Sequence, residues 1–230
     1  MEKKAVIIPA AGSGIRMGSD IPKPFIKISG KTILQRSIEC FLEIEGVVQI
    51  IIATSEEYFD ECNKIFASIH ASNISFQVIE GGTERQYSTQ NALNEVNSKV
   101  ELVAIHDAVR PFANTSQIRD CFKAANEIGG AILGVPAKDT IKKVNAENFI
   151  KKTPSRSELW QAQTPQIFKT YLIKEAYDSA IKNNFLGTDD ASLVEQIGEK
   201  VKIVNGSREN FKITYPIDLK VAELIINKSI

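Results

Sequence analysis

Residues Ala5–Ile28 read AVIIPAAGSGIRMGSDIPKPFIKI: a β-branched apolar run, a burst of small residues, then Arg16 and two lysines. A greasy run that opens into glycines is the pattern of a buried strand feeding a tight loop. Such a loop leaves backbone N–H groups free to face an anion. The pattern continues along the chain. Val47 to Ala53, Ser75 to Ile79, Val103 to Ile105 and Ala131 to Val135 are further apolar runs, as expected of strands buried on both faces. Between them apolar residues recur at three- and four-residue spacing: Ile33-Leu34, Ile38 and Phe41-Leu42, then Tyr58-Phe59, Cys62, Ile65-Phe66 and Ile69 behind Ser55 as N-cap. Thr83 to Val96 and Ser116 to Ile128 extend the alternation. Strand–helix–strand repetition predicts an α/β fold with a mostly parallel central sheet flanked by helices.

The alternation breaks after Pro136. Residues 137–156, AKDTIKKVNAENFIKKTPSR, alternate weakly around Asn145-Ala146-Glu147-Asn148, which suits a turn between two short strands. Pattern alone leaves open a solvated surface hairpin or an arm that reaches a partner subunit or an anionic substrate. A helix over Lys169 to Ile181, a strand over Val201 to Val204 and a closing helix over Asp218 to Ile226 follow. The expected organisation is a single domain, residues 1–230, with 137–156 projecting.

Lys plus Arg and Asp plus Glu both number 28, so no bulk field attracts a nucleic-acid polymer and any anion site is a local cluster. No window reaches the roughly 18 apolar residues of a membrane helix. The opening run lacks a signal-peptide pattern, and a cytoplasmic location is expected. Cys40, Cys62 and Cys121 are odd in number and far apart, and read as reduced, mostly buried thiols. His70 and His106 are the only histidines, a poor basis for a zinc site or a catalytic triad.

Two familiar phosphate loops fail on the opening stretch. Within Ala5–Ile28 no glycine is followed by the Lys-Ser or Lys-Thr pair that a P-loop requires. The dinucleotide fingerprint fits Gly12 and Gly14 but meets Met17 where its third glycine belongs, and its acid is missing about 20 residues further on. What remains is a glycine turn with Arg16 and Lys23 able to fold back over it. A binding loop needs only amides. Two added cations suit charge that grows on a phosphate during phosphoryl or nucleotidyl transfer.

The stretch PAAGSGIRMG…IPKPF resembles the signature of nucleotidyltransferases that join a nucleoside triphosphate to a sugar or polyol phosphate. GGTERQYS, HDAVRPF, PAKDTIKKV, LWQAQTPQIF, TDDASLVE and NFKITYPIDLKVAE then resemble, in order, the 2-C-methyl-D-erythritol 4-phosphate cytidylyltransferase family of non-mevalonate isoprenoid synthesis, over essentially the whole chain. The resemblance implies a Rossmann-like nucleotidyltransferase domain. It implies cytidylyl transfer from CTP to the polyol phosphate with release of pyrophosphate, Mg2+ as cofactor, and a homodimer. It places the triphosphate on Ala10, Ala11, Gly12, Gly14, Arg16 and Lys23, and the cytosine end on Gly82, Arg85 and Ser88. Asp107 is implied as metal ligand and Arg110 as facing the polyol phosphate. Thr140, Arg156 and Lys212 are implied to handle that substrate, partly across the dimer interface. Arg16, Lys23, Arg156 and Lys212 are thus the expected catalytic set.

The residues read independently agree in part. Asp107 is a hard oxygen ligand at a strand end, where open α/β sheets place ligands. His106 reads as structural. Thr188-Asp189-Asp190 reads as a helix N-terminus with Thr188 as cap. Two departures from the family pattern stand out: Pro24 follows Lys23 where glutamine is usual, and Glu209 replaces an aspartate three residues before Lys212, so its part in metal binding is an open question. The nearest alternative is the same chemistry on ribitol 5-phosphate. Another is a non-catalytic nucleotide-binding protein, against which Arg16, Lys23, Asp107 and Lys212 argue together.

Overall fold

A computed structural model describes residues 2–12 and 21–228 of the chain. The strands and helices in chain order are β1 (Lys4–Pro9), β2 (Lys27–Ile28), β3 (Lys31–Thr32), α1 (Ile33–Glu39), β4 (Val47–Thr54), α2 (Phe59–Ser68), β5 (Ser75–Glu80), α3 (Arg85–Asn94) and β6 (Leu102–Ile105). They continue with α4 (Thr115–Ile128), β7 (Gly130–Pro136), β8 (Lys143–Val144), β9 (Ile150–Lys152), β10 (Trp160–Lys169), α5 (Thr170–Lys182), α6 (Asp190–Gln196), β11 (Lys202–Asn205) and α7 (Pro216–Lys228).

Seven strands form the main sheet in the order β11-β7-β10-β6-β1-β4-β5. Side chains alternate across it, as strand geometry requires. Val6 and Ile8 of β1, Ile50 and Ile52 of β4, and Leu102 and Ala104 of β6 pack with α1, α2 and α4 on one face. Ala5 and Ile7, Ile51 and Ala53, and Val103 and Ile105 pack with α3, α5 and α6 on the other. Both faces are therefore dry, which is why these strands read as nearly continuous apolar runs. Local chemistry sets the helix ends. Thr32 accepts from the Gln35 amide at 3.1 Å to open α1, and α4 stops at Gly129, whose φ of 111° suits a residue without Cβ.

Each apolar run proposed as a strand is one, and the mostly parallel sheet is present. One strand differs from the expectation. β10 runs antiparallel between β6 and β7, and the sequence reading did not mark it. Its central residues are polar yet buried: Gln163, Thr164 and Gln166. Each is hydrogen-bonded, Gln163 to the Ser207 carbonyl, Thr164 to His106, and Gln166 to Asp189. A polarity scan cannot anticipate a strand whose buried polar groups are satisfied by partners distant in sequence. The hairpin expected around Asn145 to Asn148 is present as β8 and β9, a separate two-stranded sheet.

The connections place a crevice. The chain runs from β1 to β4 and β5 on one side, then returns through α3 to β6 on the other side of β1. The carboxyl ends of β1 and β6 are the point where the winding reverses, which is where such sheets bind ligands. α7 closes the same end from outside. Its Ala222, Leu219 and Ile226 pack with Ile28, Ile33 and Ile213, and the Ile213 amide donates to the Val109 carbonyl at 2.9 Å. The segment carrying Lys212 is thereby tied to the loop after β6.

Candidate active site

A cavity of about 730 Å³ opens at this switch point, within the usual range for small-ligand sites. Three loops wall it. The first follows β1, where the Ala10 amide donates to the Ala53 carbonyl at 2.7 Å and leads Ala11 and Gly12 along the rim. The second follows β5. A Cβ on Gly81 would stand 2.5 Å from the Ala11 methyl, so this glycine lets the two loops close on each other. Ser88, in the first turn of α3, accepts from the Gly82 amide at 3.0 Å and turns its own hydrogen toward the Glu84 carbonyl at 3.1 Å. The third loop follows β6 and carries His106, Asp107 and Arg110.

His106 fixes that third loop. Its Nε2 lies 3.0 Å from the Arg110 carbonyl, which can only accept, so Nε2 carries the proton. Nδ1 then accepts from the Thr164 hydroxyl at 3.1 Å, whose oxygen in turn accepts from the Asp107 amide at 3.0 Å. Burial pushes the imidazole pKa down to about 4, against a support from the Arg110 carbonyl. The ring is neutral and fully engaged, as its structural reading requires.

Asp107 is the centre of the cavity floor. Oδ1 accepts from Arg85 Nε at 3.2 Å; Oδ2 accepts from Arg110 Nε at 3.2 Å and pairs with Lys212 Nζ at 3.1 Å. Burial pushes this carboxyl up, but Arg85, Lys212 and Arg110 together outweigh it and hold the group well below the usual carboxylate range. Arg110 also donates to the Asn210 carbonyl at 2.7 Å, and Lys23, buried, reaches the Thr214 carbonyl at 3.4 Å. Four segments distant in sequence thus deliver cations to one end of the sheet.

Of the expected site residues, Ala10, Ala11, Gly12, Lys23, Gly82, Arg85, Ser88, Asp107 and Lys212 line the cavity together. Arg110 stands behind Asp107. Thr140 and Arg156 are exposed on the arm and away from the cavity wall. Glu209 is also exposed and off the wall, its amide turned to Ser207. Gly14 and Arg16 lie outside the described residues.

Asp190 has a larger part than the sequence revealed. The N-cap of α6 is Asp189, in a capping box with Ser192, rather than Thr188. The side chain of Asp190 turns inward, fully buried, and grips Arg85 with both oxygens at 3.0 and 2.8 Å. An acid in a first helical turn satisfies the dipole so simply that the pattern hides a second partner.

As to a metal, no cluster of three or more His, Cys, Asp or Glu is found among the described residues. Asp107 fits Mg2+ as a single hard ligand, because among the described residues Oδ1 takes one N–H and keeps an acceptor position.

The family model described as 2-C-methyl-D-erythritol 4-phosphate cytidylyltransferase matches residues 4–228. A relative of that name from Caldanaerobacter subterraneus subsp. tengcongensis is 45% identical over 99% of this chain and 100% of its own. Another of that name, from Clostridioides difficile, is 45% identical over 97% of this chain and 93% of its own. The crystal structure of a 4-diphosphocytidyl-2C-methyl-D-erythritol synthase from Anaerococcus prevotii superposes with a TM-score of 0.88 at 29% identity, covering 98% of this chain and 96% of that one.

The neutral His106 makes stability depend on pH. Its pKa falls from 6.5 unfolded to about 4 folded, so the unfolded chain binds the extra proton between those values and stability rises with pH across that window. Asp107, depressed, loses its contribution only at lower pH. From pH 6.5 down to 4, denaturant titration is expected to show a loss of roughly 3 kcal/mol from this group, absent from a His106→Asn variant. A flat profile, or the same slope in the variant, would contradict the assignment.

Proposed function

The chain belongs to the 2-C-methyl-D-erythritol 4-phosphate cytidylyltransferase family, and we infer from that membership that it transfers the cytidylyl group of CTP to 2-C-methyl-D-erythritol 4-phosphate, releasing pyrophosphate, in isoprenoid precursor synthesis. The observation that carries the reading is the cavity at the switch point, where a small-residue loop and Lys23 face the Asp107 cluster with Arg85 and Lys212. The ribitol 5-phosphate alternative has no comparable support among these relatives.

The chemistry asks little of the protein beyond charge and position. An oxygen of the substrate's phosphate attacks the α-phosphorus of CTP in line, the new P–O bond forms, and the bond to pyrophosphate breaks. Attacker and leaving group are both already anionic, so no base is needed, and His106 is committed elsewhere. The work is to hold two anions together and stabilise charge that moves onto the leaving group. The amides of Ala11 and Gly12, with Lys23, suit the triphosphate. Lys212, on the Asp107 side, suits the attacking phosphate, and Arg110 steadies Asp107 from behind. Arg16 completes the triphosphate cradle in this reading.

Mg2+, when bound, would neutralise triphosphate charge, with Asp107 as the protein ligand and phosphate oxygens and water as the rest. Three cations surround that one carboxylate, so the metal is best carried in by the nucleotide. Glu209 is too exposed to be assigned the second place. A CTP-consuming reaction fits a cytoplasmic location.

A homodimer accounts for the arm. Phe149 and Ile150 expose 69% and 62% of their surface there, beside Ile141 and Val144, an apolar strip that suits burial on a second copy. The same docking would bring Thr140 and Arg156 to the neighbour's cavity, since they are off the wall of their own. Phe149→Asp is expected to turn a dimer into a monomer by light scattering and to lose activity with it. A wild-type monomer with full activity would remove the arm from the account.

Pyrophosphate release from CTP and Mg2+ is expected with methylerythritol phosphate and not with ribitol 5-phosphate; release with ribitol 5-phosphate alone would overturn the substrate. Lys23→Ala is expected to lower turnover about 100-fold or more, the scale of losing one charge-stabilising donor, while the fold survives. Near-normal turnover would take Lys23 out of the mechanism.

A further inference from the structure

Behind the cavity floor lies a second set of charges that the transfer itself does not use. Arg85 has five N–H donors in a rigid plane. Its Nε goes to Asp107 Oδ1, while Nη1 and Nη2 go to the two oxygens of Asp190 at 3.0 and 2.8 Å. Asp190 is 1% exposed, and Tyr177, fully buried, donates its hydroxyl to Asp190 Oδ1. Neighbouring groups hold this carboxylate in place. Gln166 of β10 accepts from the Ala191 amide at 2.8 Å and donates to Asp189 at 2.8 Å, so α6 is tied to the sheet at the point where Asp190 projects.

This chain of contacts has a mechanical consequence. Lys212 and Arg110 both rest on Oδ2 of Asp107. The only hydrogen bond that holds Oδ1 is the one from Arg85 among the described residues. Were Arg85 to let go, the carboxylate could rotate about its Cβ–Cγ bond, and the two cations resting on it would move too. Arg85 is kept from letting go by the bidentate grip on its other side, since a fork held at both nitrogens cannot swing.

We propose that Asp190 is a positioning residue for cytidylyl transfer: its grip on Arg85 locks the orientation of Asp107 and so the placement of Lys212 against the attacking phosphate, with Arg110 bracing the same carboxylate from behind. The proposal rests on the reaction read above. It makes Arg85 a strut rather than a contact for the cytosine end, the place that the resemblance implies. Three of its five N–H groups are taken by carboxylates, and its charge is answered by both of them. Loss of the strut therefore acts on turnover and leaves nucleotide affinity nearly intact.

The test is Asp190→Asn, which keeps the shape and removes one arm of the grip. CTP affinity by calorimetry, kcat and KM for methylerythritol phosphate, and the melting curve are measured on the full chain. A misplacement near 1 Å costs on the order of 100-fold, so kcat is expected to fall about 10- to 100-fold per folded molecule, with the CTP Kd changed by less than about threefold. Arg85→Lys serves as the second variant. It keeps the charge and the fold of α6, but it cannot span both carboxylates, so it is expected to lose kcat to the same degree. In the double variant the two losses are expected not to multiply, because both act through one strut. Unchanged kcat in either variant, multiplying losses, or a defect confined to the CTP Kd would overturn the proposal; if Asp190→Asn does not fold, Arg85→Lys decides alone. Wild-type protein without transferase activity would instead refute the reaction it rests on.

Discussion

The site depends on one buried carboxylate. Arg85, Arg110 and Lys212 come from three parts of the chain, and three cations brought within a few ångströms would repel one another strongly in a partly desolvated cavity. Asp107 sits among them and makes the gathering possible, accepting 3.1 to 3.2 Å contacts from each. The attraction is mutual: burial pushes the Asp107 carboxyl up, and the cations outweigh it and keep the group charged. Removing one partner from such a cluster leaves the rest uncompensated, which is far costlier than never having built it.

The fold supplies the means to hold that carboxylate still. β6 ends at the sheet's switch point, the His106 ring bridges both ends of the loop that follows, and Thr164 from the antiparallel β10 clips the loop's first amide. α7 docks on Ile213 and brings Lys212 over the top. Asp190 braces Arg85 from below. Each of these elements is far from the others in sequence, and each ends on the same few atoms. The opening glycine loop then adds its amides, Lys23 and, in the proposed reading, Arg16 to charge that is already in place.

Much of this was legible in the sequence. Nearly continuous apolar runs such as Val47 to Ala53 announce strands buried on both faces, and helical spacing between them announces the parallel winding. The motif residues lining the cavity stood out through glycine, lysine and aspartate at strand ends. What stayed hidden was polar and buried at once. β10 escaped notice because Gln163, Thr164 and Gln166 look like loop residues until their partners are known. In sequence Asp190 reads as a first-turn acid and Thr188 as the cap, a place that Asp189 fills in the structure. In each case the side chain's partner lies more than twenty residues away or is a backbone group of its own turn, and neither leaves a periodic trace. The arm was readable as a hairpin, while its purpose depends on a second molecule.

The claim that Asp107 gathers the cations is tested most directly by a crystal structure of Asp107→Asn, which keeps the shape and removes the charge. The account expects Arg110 and Lys212 to leave the position that Oδ2 now holds, with the loop after β6 still pinned by His106. Both side chains remaining within hydrogen-bond distance of the asparagine, in unchanged rotamers, would show that packing rather than this charge assembles the site, and the account would fail.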